Sequence, residues 1–168
     1  GDARSAVDRR RATVVGRFEP DLVVLAGFMR ILTPEFLDRF AVVNLHPALP
    51  GQFAGTNAIE RAFASWQAGE IDASGVMVHW VPDEGVDVGP EIATAVVPFL
   101  PGDTLETFEV RMHQAEHRLL VEAVAQVCLD RSFERTDAVS SLHTMNRLET
   151  EICLEAENVS PDQSGVGR

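Results

Sequence analysis

The chain of 168 residues contains no lysine, so all 14 of its basic side chains are arginine, set against 26 acidic ones. Lysine forms Schiff bases with carbonyl substrates and pyridoxal phosphate, contacts phosphates in the P-loop and acts as the base of serine-lysine dyads. The sequence therefore excludes each of these mechanisms. A net charge of -12 also argues against a general nucleic-acid binder, because affinity for a phosphate backbone depends on clustered cations. A small-molecule site is compatible with both observations.

Cysteine and long apolar runs are scarce as well. The two cysteines, Cys128 and Cys153, form no CxxC pair, so neither a disulfide framework nor a cysteine-based zinc site is indicated, and a reducing setting fits best. The longest uninterrupted apolar stretches, such as residues 22–26, are too short to cross a bilayer. We therefore expect a soluble, cytoplasmic protein with no membrane partner.

The composition, with 45% apolar residues, is typical of one ordinary globular domain. An amphipathic pattern begins close to Gly1, as in a helix already under way, and we therefore expect that the chain lacks its beginning. After Leu129 the pattern decays into a polar, acidic segment that we expect to be peripheral or partly disordered. These boundaries predict a domain at residues 1–129 and a tail at residues 130–168.

The spacing of apolar residues predicts alternating helices and strands. Strands are predicted at residues 22–26, 41–43, 75–81 and 91–97, the first two buried on both faces as in parallel sheets. Helices are predicted at residues 34–40, 57–69, 104–127 and, weakly, 145–154, with Asn57 and Asp103 as N-caps. This alternation implies an open α/β sheet whose ligands bind at the carboxyl ends of the strands.

Asn44 and His46 stand two residues apart at the end of an extended run, so their side chains point to the same side. Pro47 strengthens this prediction because it disfavours the helical conformation at His46. An amide donor and a protonated imidazole in one space suit a reaction in which negative charge develops on a carbonyl oxygen. On spacing alone, however, a histidine after a strand is more often structural than catalytic.

A carboxylate beside the imidazole would raise its pKa and keep it protonated. The loop at residues 82–90 offers Asp83, Glu84 and Asp87 for this role. Asp87 is favoured because glycines on both sides allow its backbone to approach a ligand or another loop closely. An acidic loop rich in glycine and proline is otherwise most often a solvated turn.

Longer strings of sequence carry a resemblance to a known family. They are AGFMRIL at residues 26–32, NLHPALPG at 44–51, GVMVH at 75–79, VDVGP at 86–90 and AEH at 115–117. In order, spacing and identity they resemble phosphoribosylglycinamide formyltransferases, and the resemblance covers residues 2–127, looking most like the fungal and related bacterial branch. It implies the formyltransferase fold, an open Rossmann-like mixed sheet flanked by helices, without the N-terminal strand-helix unit that carries the phosphate loop.

The resemblance also implies an activity. The formyl group of the co-substrate 10-formyltetrahydrofolate would pass to the amine of 5-phosphoribosylglycinamide in purine (IMP) biosynthesis. Asn44 and protonated His46 would stabilise the oxyanion of the transfer, and Asp87 would hold His46 protonated and help to order a water that shuttles the proton. The expected partners are these small molecules, with no nucleic acid and no metal.

Binding residues are implied in the same way. The folate co-substrate is expected to contact Arg4, Met29, Arg30, Ile31, Leu32, Asn44, Glu84, Gly85, Val86 and Asp87. The ribonucleotide is expected to contact Pro47, His113 and Glu116. The folate loop has one residue more than the family pattern, so the register within residues 82–90 is open.

Three alternatives stay open at this point. The first is another folate formyl enzyme, such as formyltetrahydrofolate hydrolase, which shares the arrangement of Asn, His and Asp. The second is an inactive, truncated remnant of the family. The third and most remote is a zinc protein, because His113, Glu116 and His117 have the H-x-x-E-H spacing of the inverted zinc peptidases.

Overall fold

A mixed sheet organises the first part of the chain. The computed structural model describes the backbone of residues 3–156 and the side chains of residues 3–130. Within that range four strands form one sheet: β1 (Val23–Leu25), β2 (Val42–His46), β3 (Ala73–Trp80) and β4 (Glu91–Pro98). They lie side by side in this order, with β1 and β2 parallel and both later pairs antiparallel. The open mixed sheet predicted from the sequence is thereby confirmed.

Helices connect and flank the strands. They are α1 (Ala3–Val15), α2 (Pro34–Leu37), α3 (Ala58–Gln67) and α4 (Leu105–Ala156), with a short 3-10 turn at Gly16–Phe18. Helix α3 lies where residues 57–69 were predicted to be helical, whereas α2 is shorter than the predicted 34–40 and β2 runs past 41–43 to His46. None of the described helices is both long and apolar enough to span a bilayer.

The chain divides into two compact units, residues 1–124 and residues 125–168. Helix α4 continues to Ala156, well past the predicted end at 127, and includes the stretch where only a weak helix was expected. The side chains of residues 131–156 and the whole of residues 157–168 lie outside the described residues. The division into a domain at 1–129 and a tail at 130–168 therefore stays a prediction.

Strand β2 packs on both of its faces. Its consecutive residues Val42 and Val43 are 2% and 1% exposed and belong to different hydrophobic clusters, because neighbouring residues of a strand point to opposite sides of the sheet. Val43 joins residues of α3 and α4, and Val42 joins residues of α1 and α2. The expectation of a doubly buried strand is confirmed for β2.

The same expectation is wrong for β1, where Val24 is 39% exposed and its neighbours are only partly buried. Among the described strands β1 pairs only with β2, so it forms an edge of the sheet.

The two predicted N-caps have different outcomes. Asn57 occupies the N-cap position of α3 as predicted, but its backbone is left-handed (φ 56°) and its side chain makes no capping hydrogen bond. At α4 the cap is Thr104, whose Oγ1 accepts the Thr107 N–H at 3.3 Å while Thr107 Oγ1 accepts the Thr104 N–H at 3.0 Å, a reciprocal capping box. Asp103 instead accepts hydrogen bonds from Arg111 and from the backbone N–H of Leu100.

A buried carboxylate ties α1 to the segment that leads into α2. Asp8 is 1% exposed, and it accepts hydrogen bonds from Arg11 Nη1 at 2.6 Å and from the backbone N–H of Thr33 at 2.8 Å. Burial alone would raise the pKa of Asp8, but the Thr33 N–H and the Arg11 guanidinium outweigh burial and hold it below its ordinary 3.8. The carboxylate therefore stays ionised and fixes the position of Thr33.

We predict that Asp8→Ala lowers the free energy of unfolding at pH 7 by about 2 kcal/mol, because a buried N–H and a guanidinium lose their acceptor. The pKa of Asp8 is lower in the folded protein than in the unfolded chain. The contribution of Asp8 to the free energy of unfolding is therefore complete above pH 3.8 and is lost as the pH falls through the folded-state pKa. Urea unfolding at a series of pH values measures the difference. Asp72→Ala, at an exposed aspartate, is the control, and equal losses for the two variants would contradict the anchoring role.

Candidate active site

A cleft of about 810 Å³ lies over the carboxyl ends of β1 and β2. The predicted site residues that line it are Met29, Arg30, Ile31, Leu32, Asn44, His46, Pro47, Gly85, Val86, Asp87, His113 and Glu116. Arg4 and Glu84 are not among the lining residues, and they face each other with 3.7 Å between Arg4 Nη1 and Glu84 Oε1. The structure thus brings all but two of the predicted residues to one cleft, at the sheet edge expected from the topology.

Asn44 and His46 reach the cleft from the last residues of β2, on the same side of the strand as their spacing predicts. The side-chain amide of Asn44 donates to Asp87 Oδ1 at 3.2 Å. His46 is 4% exposed, and its Nδ1 lies 3.4 Å from Asp87 Oδ2. The other ring nitrogen of His46, Nε2, is buried and makes no hydrogen bond within the described residues. The described residues therefore leave the hydrogen-bonding capacity of this nitrogen unused.

Asp87 is the common partner of these groups. Its backbone is left-handed (φ 55°), a conformation that aspartate tolerates better than most residues, and its side chain is 10% exposed. The backbone N–H of Gly55 donates to Asp87 Oδ2 at 2.8 Å, the shortest of the contacts to this carboxylate. One carboxylate therefore joins β2, the loop before α3 and the loop after β3.

The pKa of Asp87 lies below its ordinary value. Burial raises it, but a hydrogen bond with His79, the Gly55 N–H and the attraction of the His46 and His79 rings when these are protonated lower it by more. Asp87 is therefore a carboxylate at neutral pH and can act as a hydrogen-bond acceptor and as a negative charge.

The pKa of His46 corrects one expectation. Burial lowers it and the neighbouring His79 adds to this, while Asp87 and the backbone carbonyls of Phe53 and Gln52 raise it, with the result below 6.5. Asp87 thus acts on His46 in the predicted direction, but desolvation of the ring is stronger. The predicted protonated resting state of His46 is therefore wrong for neutral pH, where the ring is mostly uncharged.

His79, which the sequence analysis did not assign to the site, lies between these groups. It is 2% exposed, and its Nδ1 lies 2.8 Å from the backbone oxygen of Trp80, so Nδ1 carries the hydrogen and donates. Its Nε2 faces the amide of Asn44 at 3.3 Å and Asp87 Oδ1 at 3.5 Å. The signal that finds His79 is the register of β2 and β3, in which Asn44 and His79 are directly paired.

The loop at residues 82–90 is held against β3 by a close approach of two backbones. A Cβ atom on Gly89 would lie 1.7 Å from the carbonyl oxygen of Trp80, so only glycine fits there. The Trp80 N–H donates to the carbonyl of Pro90 at 2.8 Å. A bulge follows in the adjoining ladder, where Val78 pairs with Ala93 but His79 pairs with Glu91. These contacts set the place from which Asp87 reaches the cleft.

The structure offers no support for a zinc site. His113 Nδ1 lies 2.6 Å from Glu116 Oε2 on the exposed side of α4. Within the described residues no three His, Cys, Asp or Glu side chains come together as a metal would require. His113 and Glu116 therefore contribute a polar pair to the cleft wall and not a ligand set.

Comparison with known proteins gives one consistent result. The model of the family described as formyl transferase matches residues 2–124. Proteins named phosphoribosylglycinamide formyltransferase from Schizosaccharomyces pombe and Dictyostelium discoideum are each 45% identical, over 132 and 131 residues and 76% and 73% of this chain. The chain spans 63% of the length of each of these curated relatives. The crystal structure of the enzyme of that name from Streptococcus pneumoniae is similar with a TM-score of 0.67 and 39% identity, covering 76% of this chain and 69% of the other.

We predict that Gly89→Ala lowers the free energy of unfolding by about 2 kcal/mol, because the added methyl group forces the loop away from β3. Amide exchange of residues 83–89 should rise at the same time. Gly16→Ala is the matched control, because its new Cβ would meet the flexible end of Arg39 at 3.2 Å and the Phe40 ring at an ordinary contact distance of 3.8 Å. A loop that exchanges as slowly as in the parent chain would contradict the close approach.

Proposed function

The chain belongs to the formyl transferase family, and from this we propose that it transfers a formyl group from 10-formyltetrahydrofolate to the amine of 5-phosphoribosylglycinamide. The observation that carries the proposal is the meeting of Asn44, His46 and Asp87 at one end of the cleft. The names of the relatives support the choice of the ribonucleotide as the acceptor of a formyl group. The folate donor and purine biosynthesis as the setting follow from the family.

The proposed reaction is an acyl transfer through a tetrahedral intermediate. The amine nitrogen of the ribonucleotide attacks the formyl carbon, a new C–N bond forms, and the formyl oxygen becomes an oxyanion. The intermediate collapses as the bond between the formyl carbon and N10 of the folate breaks. The proton lost by the amine ends on N10, so that the products are the N-formylated ribonucleotide and tetrahydrofolate. No metal and no redox partner is needed to balance these steps.

Asn44 and His46 would stabilise the oxyanion. The two N–H groups of the Asn44 amide face Asp87 Oδ1 and Nε2 of His79, so one of them would turn from these partners to the oxyanion. Nε2 of His46 has no hydrogen bond, and a negative oxygen beside it would make protonation of the ring favourable where burial alone opposes it. The fold would thus hold both groups beside the developing charge, and such electrostatic stabilisation is usually the largest source of rate enhancement in acyl transfer.

Asp87 would serve His46 and the proton transfer. Its carboxylate raises the pKa of His46, so it favours the protonated ring that the intermediate requires. Being ionised and next to the cleft, it can also accept a hydrogen bond from the attacking amine or from a water that carries the proton to N10. His79 would orient Asn44 and Asp87 from the adjacent strand.

The rest of the cleft would bind the two substrates. The segment from Met29 to Leu32 and the loop residues Gly85 and Val86 would contact the folate, and Pro47, His113 and Glu116 the ribonucleotide. Both substrates are anionic and the chain is not basic, so Arg30 in the cleft wall is the cation that we assign to them. Arg4 would have to exchange Glu84 for a ligand anion. Small-molecule partners and a cytoplasmic location remain predictions from charge and cysteine content.

We predict that His46→Ala reduces the rate of formyl transfer by at least about 100-fold, the usual effect of removing an oxyanion donor. The dissociation constant of a non-transferable folate analogue should stay within about twofold, because the pterin contacts lie elsewhere in the cleft. Single-turnover transfer and analogue titration measure the two quantities separately. Retained transfer would contradict the oxyanion role, and analogue binding without transfer by the parent chain would favour an inactive relative.

We predict that Asp87→Asn moves the alkaline limb of the profile of kcat/KM against pH to lower pH. The substitution removes the charge that raises the pKa of His46, while burial and His79, which lower it, remain. Asparagine also tolerates the left-handed backbone, so the loop is preserved. Asp83→Asn in the same loop is the control and should leave the limb in place. An unmoved limb in Asp87→Asn would contradict the proposed effect of Asp87 on the pKa of His46.

A further inference from the structure

The loop between β2 and α3 holds an unfavourable backbone conformation. Phe53, Gly55 and Asn57 have positive φ angles of 45°, 86° and 56°. Such a conformation costs glycine little, but it is a genuine outlier for an aromatic residue. It persists only where surrounding contacts fix it. Contacts with the rest of the chain must therefore fix this loop.

The loop touches two residues of the proposed active site. The N–H of Gly55 donates to Asp87 Oδ2 at 2.8 Å. The backbone carbonyls of Gln52 and Phe53 face His46 and favour its protonated form. A change of about 1 Å in the position of such a segment can cost 100-fold in rate when it displaces a reacting group.

One side chain outside the cleft fixes the loop. Arg61, in α3, donates from Nη1 to the carbonyl of Ala54 at 2.8 Å and to that of Thr56 at 3.5 Å. Its guanidinium also lies over the ring of Phe53, 5.6 Å from the ring centroid. These contacts fall on both sides of Gly55. Arg61 is exposed and does not line the cleft, so it has no direct access to a substrate bound there.

We propose that Arg61 is a positioning residue, which holds the loop so that the Gly55 N–H stays aimed at the Asp87 carboxylate. The role requires a guanidinium, because its planar group can lie over the Phe53 ring while its Nη1 donates to the carbonyls, whereas the compact ammonium of lysine has no planar face to stack. The geometric part of the role, the effect of Arg61 on the loop, does not depend on any reaction. Only its kinetic part, the effect on kcat, rests on the proposed function.

The geometric part is tested by hydrogen exchange of the Gly55 amide in three variants, Arg61→Ala, Arg61→Lys and Arg10→Ala. Arg10 is the matched control, because it is also an exposed arginine in a helix and its loss changes the net charge equally. We expect exchange of Gly55 to rise about tenfold in both Arg61 variants and to stay unchanged in Arg10→Ala. Parental exchange in Arg61→Ala, or full recovery in Arg61→Lys, would overturn the proposal.

The kinetic part is tested by a double-mutant cycle with Asp87→Asn. We expect Arg61→Ala to lower kcat about tenfold with KM within about twofold, since Asp87 acts in the transition state. In the Asp87→Asn background the same substitution should have almost no further effect, because the acceptor of the Gly55 N–H has lost its charge. Fully additive losses would overturn the proposal. If the parent chain transfers no formyl group, the proposed function fails, and the exchange experiment still decides the role of Arg61.

Discussion

The site depends on one carboxylate that is kept ionised away from bulk water. Asp87 is largely buried, and burial alone would favour its neutral form. Its two oxygens meet an amide, a backbone N–H and two imidazole rings, which together make the charged form the stable one. These partners come from β2, from β3 and from the loop before α3. The carboxylate therefore fixes that loop and its own loop relative to the two paired strands.

The two histidines beside this carboxylate are not equivalent. His79 has its Nδ1 committed to the backbone of its own strand, so the ring is fixed and its remaining nitrogen faces Asn44 and Asp87. His46 has one nitrogen toward Asp87 and the other without a hydrogen bond. A buried polar atom without a partner costs free energy. That cost falls on the group that the proposed reaction uses, whereas His79 is fully committed to the structure.

The sequence predicts those features of the site that depend on local geometry. The shared direction of Asn44 and His46 follows from the two-residue period of a strand, and α3 follows from its helical spacing. The position of His79 does not, because it depends on how β2 and β3 align, and register is a property of the pair. The pKa of His46 also cannot be predicted from the sequence. The direction of its shift depends on a balance. Loss of water around the packed ring lowers the pKa, and the charge of Asp87, which the sequence does reveal, raises it.

The bulge between β3 and β4 acts as a spacer for the site. Ile92 is the residue that the ladder skips, since Val78 pairs with Ala93 and His79 with Glu91. A strand advances about 3.3 Å per residue, which is close to the length of a hydrogen bond. Loss of that one residue would move the attachment of the loop by the whole distance that separates Asp87 from its partners. The reach of the carboxylate is therefore encoded in the number of residues in β4, a strand that supplies no side chain to the cleft.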